Sequence, residues 1–179
     1  ICTRFHTMDQ RLHKMMKESD NLYAESMYYQ IAASTGNRPA SAKSARNVER
    51  QLIRKIGLDP ARYKLADGSG LSLYNYLSAE LEVKLLRYAY RDENMYQQLK
   101  QSLPIAGVDG TLKKRMKTGY AHGNVKAKTG TLTGIISLAG YCKAANGHEL
   151  CFSIINNGIM HGNNARNFAD KVCELLCKP

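Results

Sequence analysis

No apolar run in this 179-residue sequence approaches the length of a membrane-spanning helix. Such a helix needs about 18 to 20 consecutive apolar residues, so the sequence predicts no transmembrane segment. It also lacks internal repeats, linkers and low-complexity stretches. With 44% hydrophobic and 23% charged residues, the composition is that of a globular protein, and the length suits one domain.

Acidic residues are scarce, with 15 Asp and Glu against 26 Lys and Arg and a formal net charge of +11. This balance fits either a solvated basic surface or attraction to nucleic acid, an anionic membrane or an acidic polymer. No nucleic-acid-binding motif is present, so no nucleic acid partner is predicted. Residues 110–130 contain no acid, and their field favours a carboxylate-bearing ligand. Six cations lie there: Lys113, Lys114, Arg115, Lys117, Lys126 and Lys128.

The cysteines show neither Cys-x-x-Cys nor Cys/His spacing, so no zinc site is predicted. Cys173 and Cys177 are four residues apart on a predicted helix and are expected to face the core. A two-residue turn at Asn146-Gly147 would place Cys142 opposite Cys151 in a pair compatible with a disulfide. Two reduced, buried cysteines are the alternative, and the odd total of five does not decide between them.

Hydrophobic periodicity predicts helices first and strands afterwards. Ser44 is the expected N-cap of the third helix, and Ser72 that of the fourth, which contains Leu77, Leu81, Leu85 and Tyr88. The other predicted helices are Met8–Lys17, Leu22–Ser34, Ser44–Ile56 (the third) and Glu93–Ser102. The strands and the closing helix are Val125–Ile136, Ser137–Ala144, His148–Asn156 and Asn164–Cys177. We therefore expect a single portion of a domain in which residues 1–122 are mainly helical and residues 123–179 form antiparallel strands and a closing helix.

Two short motifs carry the chemistry. Ser19-Asp20-Asn21 separates two predicted helices, and Lys128-Thr129-Gly130-Thr131 lies near the start of the first strand. Taken singly, the first is explained as a helix stop with an N-cap and the second as a strand entry with a solvated lysine. Taken together and in this order, they match the second and third elements of the Ser-x-x-Lys, Ser-Asp-Asn and Lys-Thr-Gly signature. That signature is typical of active-site-serine penicillin-binding proteins and class A β-lactamases.

Longer runs make the resemblance more specific. The chain is similar over nearly its whole length to the D-alanyl-D-alanine carboxypeptidase/endopeptidase family, the class C low-molecular-mass penicillin-binding proteins. The similar runs are residues 19–25, 67–72, 103–112, 128–134 and 137–141. The fold that this resemblance implies is α/β (α+β), a truncated penicillin-binding transpeptidase or β-lactamase-like fold. It would comprise a helical part, a three-stranded antiparallel sheet and a C-terminal helix.

The resemblance also implies roles for the motif residues. Ser19 and Lys128 would belong to the proton-transfer network, and the Asn21 amide would hold the substrate's peptide group. Gly130 would let a substrate backbone pair with the strand. The hydroxyls expected to bind the terminal carboxylate belong to Thr129 and Thr131. No metal or organic cofactor is required by this chemistry.

The implied substrate is a peptidoglycan stem peptide ending in D-Ala-D-Ala, and β-lactams would bind the intact enzyme. Family members work in the bacterial envelope, so a periplasmic location is expected. None of the eleven serines has a lysine three residues later, so the Ser-x-x-Lys nucleophile motif is absent from these residues. We therefore expect a C-terminal fragment that is inactive by itself, with an unpaired sheet edge that favours homo-oligomers.

Two alternatives remain open at this point. The first is a non-catalytic module that binds peptidoglycan peptides through the same carboxylate-friendly groove. The second is a basic nucleic-acid-binding protein, for which net charge is the only support.

Overall fold

The structure is a computed structural model that describes residues 6–36 and 38–179, so Cys2 lies outside it. The described residues form six α-helices, two short 3-10 helices and three strands. In none of these helices is there a stretch long and apolar enough to cross a bilayer. The helices are α1 Met8–Lys17, α2 Asn21–Ala33, α3 Ala42–Lys55, α4 Ala79–Tyr90, α5 Glu93–Ser102 and α6 Gly162–Cys177. The strands are β1 Lys126–Leu132, β2 Ile135–Lys143 and β3 Glu149–Asn157.

The described chain divides into two compact units. The first unit contains the residues up to Ser19 together with Ala89–Pro179, and the second unit is Asp20–Tyr88. The first unit thus holds α1, α5, the sheet and α6, while the second holds α2, α3 and most of α4.

Helices α1 and α5 have the bounds that periodicity predicts, because local caps define their starts. The Thr7 hydroxyl accepts a hydrogen bond from the Gln10 amide, and the Gln10 side chain accepts one from the Thr7 amide. At α5, Asp92 Oδ1 accepts from the Met95 amide at 3.0 Å. Helix α6 begins at Gly162, two residues before the predicted Asn164.

The predicted N-cap of α3 is wrong. The helix begins at Ala42, and the Ser41 hydroxyl accepts from the Ser44 amide at 3.2 Å. Ser44 is inside the first turn and buried. Two serines three positions apart are equally good caps by residue type, so sequence preference does not choose between them.

The fourth helix also begins later than predicted, at Ala79, with the Ser78 hydroxyl accepting from the Leu81 amide. Ser72 instead donates its amide to the Asp67 carboxylate at 2.7 Å. Lys64 and Tyr76 exchange two backbone hydrogen bonds, at 2.9 and 2.7 Å. These bonds hold residues 64–76 as a loop, since side-chain and local backbone partners compete with helical ones.

The sheet is three-stranded and antiparallel, as predicted, and its strand order is β1-β2-β3. The first strand ends at Leu132 rather than at the predicted Ile136. A turn at Thr133-Gly134, where Gly134 has φ +77°, returns the chain into β2. Glycine adopts this left-handed conformation without a steric penalty.

The predicted pairing of Cys142 with Cys151 is wrong by one residue. Cys151 lies opposite Tyr141, and Cys142 lies opposite Leu150. The hairpin loop contains three residues instead of two, because Ala144 pairs with His148 through a 2.9 Å hydrogen bond. A shift of one residue puts the two cysteines on opposite faces of the sheet. All four described cysteines are thiols.

Each face of the sheet packs against different helices of the first unit. One face joins Ala127, Leu138, Cys142 and Phe152 to residues of α6 in a buried core that includes Cys173 and Cys177, as expected. On the opposite face, the Tyr141 ring packs edge-on against Tyr96 of α5, with centroids 5.2 Å apart. Glu149 accepts hydrogen bonds there from the Tyr96 hydroxyl and the Lys100 ammonium at 2.7 and 2.6 Å.

The second unit is organised around the loop that contains Asp67-Gly68-Ser69-Gly70. The Glu25 carboxylate accepts hydrogen bonds from the Gly68 and Ser69 amides at 3.1 and 2.9 Å. A side chain at Gly68 would meet the Tyr28 Cβ at 2.6 Å, so glycine is required by packing. The core of this unit contains Tyr28, Ala32, Ala45, Ile53, Leu58, Tyr63 and Leu81.

Candidate active site

The structure brings together Ser19 and Lys128, which are 109 positions apart in the sequence. The Lys128 Nζ atom donates a hydrogen bond to Ser19 Oγ at 2.7 Å and another to the Thr129 carbonyl oxygen at 2.8 Å. Both residues belong to the first unit. A hydroxyl that accepts from an ammonium still has its own proton to donate, so this pair can pass a proton to a third group.

Burial lowers the pKa of the Lys128 ammonium. Removal from water disfavours the charged form of a lysine, and no opposing acid contributes to this shift. A lysine with a lowered pKa exchanges protons more readily near neutral pH than a solvated one. This is the property that a residue in a proton-transfer network needs.

Ser19 has an unusual backbone conformation, with φ +57°. Residues other than glycine avoid this left-handed region, and those found there cluster at functional sites. The next residue, Asp20, is the N-cap of α2, and its Oδ1 atom accepts from the Tyr23 amide at 3.1 Å. The motif therefore does act as a helix stop and cap, and it also aims the serine hydroxyl at Lys128.

Asn21 is the first residue of α2, is exposed and belongs to the second unit. Its predicted contact with the substrate's peptide group stays a prediction.

Strand β1 is an edge strand whose outer side is only partly covered. The Ala127 amide donates to the Pro104 carbonyl at 3.0 Å, and the Ala106 amide donates to the Val125 carbonyl at 2.9 Å. Beyond Ala127, no strand of the described part of the chain pairs with the outer side of β1. The open side thus starts at Lys128, and an extended ligand can add to it as a further strand.

Alternation along β1 puts Lys128 and Gly130 on one face and Thr129 and Thr131 on the other. A side chain at Gly130 would collide with the Ser137 hydroxyl on the neighbouring strand. Glycine therefore leaves room for this hydroxyl, while the close substrate approach predicted from the sequence stays a prediction. The Thr129 and Thr111 hydroxyls lie 2.9 Å apart, and Thr131 is exposed.

Three residues near this pair belong to neither motif and were not predicted as site residues. Lys17 is buried and forms an ion pair with Asp109 at 2.5 Å, and Thr111 contacts Thr129. Two signals could have drawn attention to them. Asp109 and Thr111 lie in the 103–112 run that resembles the family, and Asp109 is the last acid before the acid-free stretch.

Only some of the six cations in the acid-free stretch, residues 110–130, form an exposed positive surface. Arg115 forms an ion pair with Asp170 of α6 at 2.6 Å. Burial, followed by repulsion from Lys100 and Lys17, lowers the pKa of Lys126. The remaining three cations outside the pair with Ser19 are exposed: Lys113, Lys114 and Lys117. The field predicted from the sequence therefore has both a buried and a solvated part.

Several known proteins are similar to this chain in sequence and in fold. The D-alanyl-D-alanine carboxypeptidase DacB of Haemophilus influenzae is 37% identical over 153 residues, which cover 84% of this chain and 32% of that protein. The crystal structure of penicillin binding protein 4 (dacB) from the same species superposes with a TM-score of 0.82 at 32% identity, covering 92% of this chain and 39% of that one. A second crystal structure of that protein holds a β-lactam.

The TLA-3 extended-spectrum β-lactamase matches with a TM-score of 0.66 at 17% identity, covering 96% of this chain and 62% of that one, a likeness of fold. The fold is thus that of penicillin-binding proteins and β-lactamases, as the sequence predicts. The chain spans about a third of the length of the curated relatives that it matches. A family model matches residues 4–178, and the chain therefore belongs to the D-Ala-D-Ala carboxypeptidase 3 (S13) family.

Proposed function

We propose that this chain supplies part of the active site of a serine D-Ala-D-Ala carboxypeptidase. The observation that carries the proposal is the 2.7 Å hydrogen bond from Lys128 Nζ to Ser19 Oγ beside the open side of β1. The nucleophilic serine, in a Ser-x-x-Lys motif, comes from a part of the protein outside these 179 residues. The chain by itself is inactive.

In the acylation step, the nucleophilic serine oxygen attacks the carbonyl carbon between the two D-alanines and loses its proton to a base of the active site, from which it replaces the proton that Lys128 gives up in the next step. The carbon–nitrogen bond then breaks, an ester to the serine remains, and the departing amine takes up one proton. The Ser19 hydroxyl donates that proton and is reprotonated by the Lys128 ammonium. Water afterwards hydrolyses the ester and restores the serine.

Substrate binding uses the open side of β1. The peptide pairs with the strand at Gly130, and its terminal carboxylate is bound by the Thr129 and Thr131 hydroxyls. The Lys128 charge stabilises this carboxylate and the developing oxyanion. Asn21 holds the substrate amide as both donor and acceptor.

The ligands that fit this geometry are peptidoglycan stem peptides ending in D-Ala-D-Ala and the β-lactams that mimic them. The β-lactam complex of the relative from Haemophilus influenzae supports the second class. We further propose that the whole protein works in the periplasm, where these peptides are found.

The test is made on the 179-residue chain and on its Lys128→Ala and Lys113→Ala variants. We expect no covalent labelling by a fluorescent penicillin and no release of D-alanine. Weak binding of an acyl-D-Ala-D-Ala peptide, measured by NMR titration, should be lost in Lys128→Ala and kept in Lys113→Ala, because Lys113 is exposed and outside the Ser19 pair. Labelling of the chain, or binding that is indifferent to Lys128, contradicts the proposal.

A non-catalytic peptide-binding module is the second candidate, because the open side of β1 beside the Lys128 charge can bind a peptide carboxylate without any nucleophile. Both candidates predict peptide binding by the chain. They differ in the reading frame upstream of Ile1, where a Ser-x-x-Lys motif supports the enzyme and its absence supports the binding module. Penicillin labelling of the product of the whole reading frame separates them chemically.

A further inference from the structure

The segment Leu103–Leu112, called the brace below, follows α5 in the chain and contacts both the end of α1 and β1. Its first half pairs with the residues at the start of β1 through Pro104 and Ala106. Its second half contacts both motif regions, because Asp109 and Gly110 lie against Lys17 while Thr111 lies against Thr129. All of these residues belong to the first unit.

The contact with α1 is a buried ion pair. The Lys17 side chain is 6% exposed, and its ammonium lies 2.5 Å from Asp109 Oδ2. Asp109 Oδ1 accepts from the Ile105 amide at 2.8 Å, so the carboxylate also fixes the shape of the brace. A buried ammonium without its partner is strongly unfavourable, which makes this contact hard to break.

Gly110 fixes the backbone at the same place. Its φ of +53° and its position leave no room for a side chain, since a Cβ would lie 2.7 Å from the Lys17 carbonyl oxygen. The brace therefore holds both the side chain and the carbonyl of a residue only two positions before Ser19. Ser19 has φ +57°, and such a conformation persists only where the surroundings impose it.

At its other end the brace contacts the residue after Lys128. The Thr111 and Thr129 hydroxyls are 2.9 Å apart, and the Thr129 carbonyl accepts from Lys128 Nζ at 2.8 Å. The two halves of the Ser19–Lys128 pair are therefore attached to one short segment of chain.

We propose that Lys17, Asp109 and Thr111 are positioning residues, which act through the brace to hold the Ser19 hydroxyl and the Thr129 backbone at hydrogen-bonding distance from Lys128. None of the three is assigned contact with the substrate. The catalytic consequence of this positioning rests on the proposed function. The positioning itself can be measured in the 179-residue chain.

The experiment follows the titration of Lys128 in the 179-residue chain labelled with ¹³C-lysine, with the Lys128 signal assigned through Lys128→Arg. In the wild-type chain this signal should titrate below an ordinary lysine. In Asp109→Asn, release of the end of α1 hydrates Lys128, and its pKa should rise. The sign is informative, because removal of a nearby negative charge would by direct electrostatics lower a lysine pKa.

The Thr111 hydroxyl has a matched pair of variants. Thr111→Val removes the hydroxyl with little change of shape and should shift the Lys128 titration upward, while Thr111→Ser should restore the wild-type value. The control is Asp92→Ala, which removes the N-cap of α5 in the same unit, eleven residues before the brace begins. It should lower stability without moving the Lys128 titration.

An unchanged Lys128 titration in folded Asp109→Asn overturns the role of the ion pair, and the same result in Thr111→Val overturns that of the hydroxyl. If Asp109→Asn does not fold, Lys17→Met takes its place, because it keeps the buried stem and leaves half-exposed Asp109 bonded to Ile105. Peptide affinity should fall in parallel, roughly tenfold, as for the loss of one hydrogen bond to a charged group. A wild-type chain that binds no peptide while the titration shifts as expected refutes the proposed function and leaves the positioning intact.

Discussion

Glu49 on α3 is the described carboxylate whose environment is least favourable. Its Oε2 atom and the Tyr63 hydroxyl are buried without a hydrogen-bond partner in the described structure, and both residues line a cavity of the second unit. Burial raises the pKa of Glu49 from its ordinary 4.5 to about 7, and the Arg46 charge opposes this shift only in part. Ionisation of Glu49 therefore destabilises the folded second unit.

The first prediction at the residue scale is that Glu49→Gln removes a pH dependence of stability. The pKa of Glu49 is higher in the folded protein than in the unfolded chain. Protonated Glu49 therefore contributes its full stabilisation below pH 4.5, and this stabilisation is lost as the pH rises through 7. After allowance for partial exposure, we expect Glu49→Gln to gain about 1–2 kcal/mol at pH 8 and little at pH 4.5. Urea unfolding at both pH values measures this difference.

Glu25→Gln is the matched control in the same unit. The Glu25 carboxylate accepts from the Gly68 and Ser69 amides, so loss of its charge should weaken the unit at pH 8. A Glu49→Gln protein that is no more stable than wild type at pH 8 would contradict the assignment.

The β2–β3 hairpin sets the chemistry of the cysteines at the scale of elements. Cys142 faces α6, where its thiol is buried beside Cys177 and burial raises its pKa. Burial likewise raises the pKa of Cys173 to about 12. Cys151 lies on the other face and is only partly buried.

We therefore predict selective alkylation in a Cys2→Ser background. Iodoacetamide at pH 8 should modify Cys151 in the native chain, while Cys142, Cys173 and Cys177 should react only after unfolding, because the thiolate is the reactive form. Peptide mass spectrometry identifies the modified sites, and Cys151→Ser should abolish native labelling. A native Cys142–Cys151 disulfide would refute the observed register.

The free edges of the sheet matter for the whole molecule. Strand β3 pairs only with β2 within the described residues, so one of its sides is open to another chain. Homo-oligomers through this edge stay a prediction from the sequence, and the strand order supports it.

We expect the isolated chain to dimerise with rising concentration in sedimentation velocity experiments. Ile155→Lys, a charge on β3, should return it to a monomer, since charges on edge strands oppose pairing. Leu175→Lys is the control, because Leu175 is a 69% exposed apolar residue on α6. A wild-type chain that is monomeric at all concentrations refutes the prediction.

Local chemistry explains which elements could be predicted. The caps at Thr7 and Asp92 define α1 and α5 to the residue, because a cap and the helix that it starts lie within one turn. The start of α4 could not be predicted, since the Asp67 carboxylate and the Lys64–Tyr76 pair hold the preceding loop. The register of the β2–β3 hairpin depends on whether the loop at Asn146-Gly147 has two residues or three. The alternation of side chains in the sequence does not distinguish these two loop lengths.

The sequence by itself determined the family, the antiparallel sheet and the identity of the Ser19 and Lys128 motifs, because these depend on residue order and local pattern. Only the tertiary structure decided that half-buried Lys128 donates to Ser19, that Gly130 lies against the Ser137 hydroxyl, and that Asp109 pairs with Lys17. Each of these depends on contacts between residues distant along the chain. The burial and partners that shift a pKa or hold a strained serine are set by packing, which local sequence does not encode.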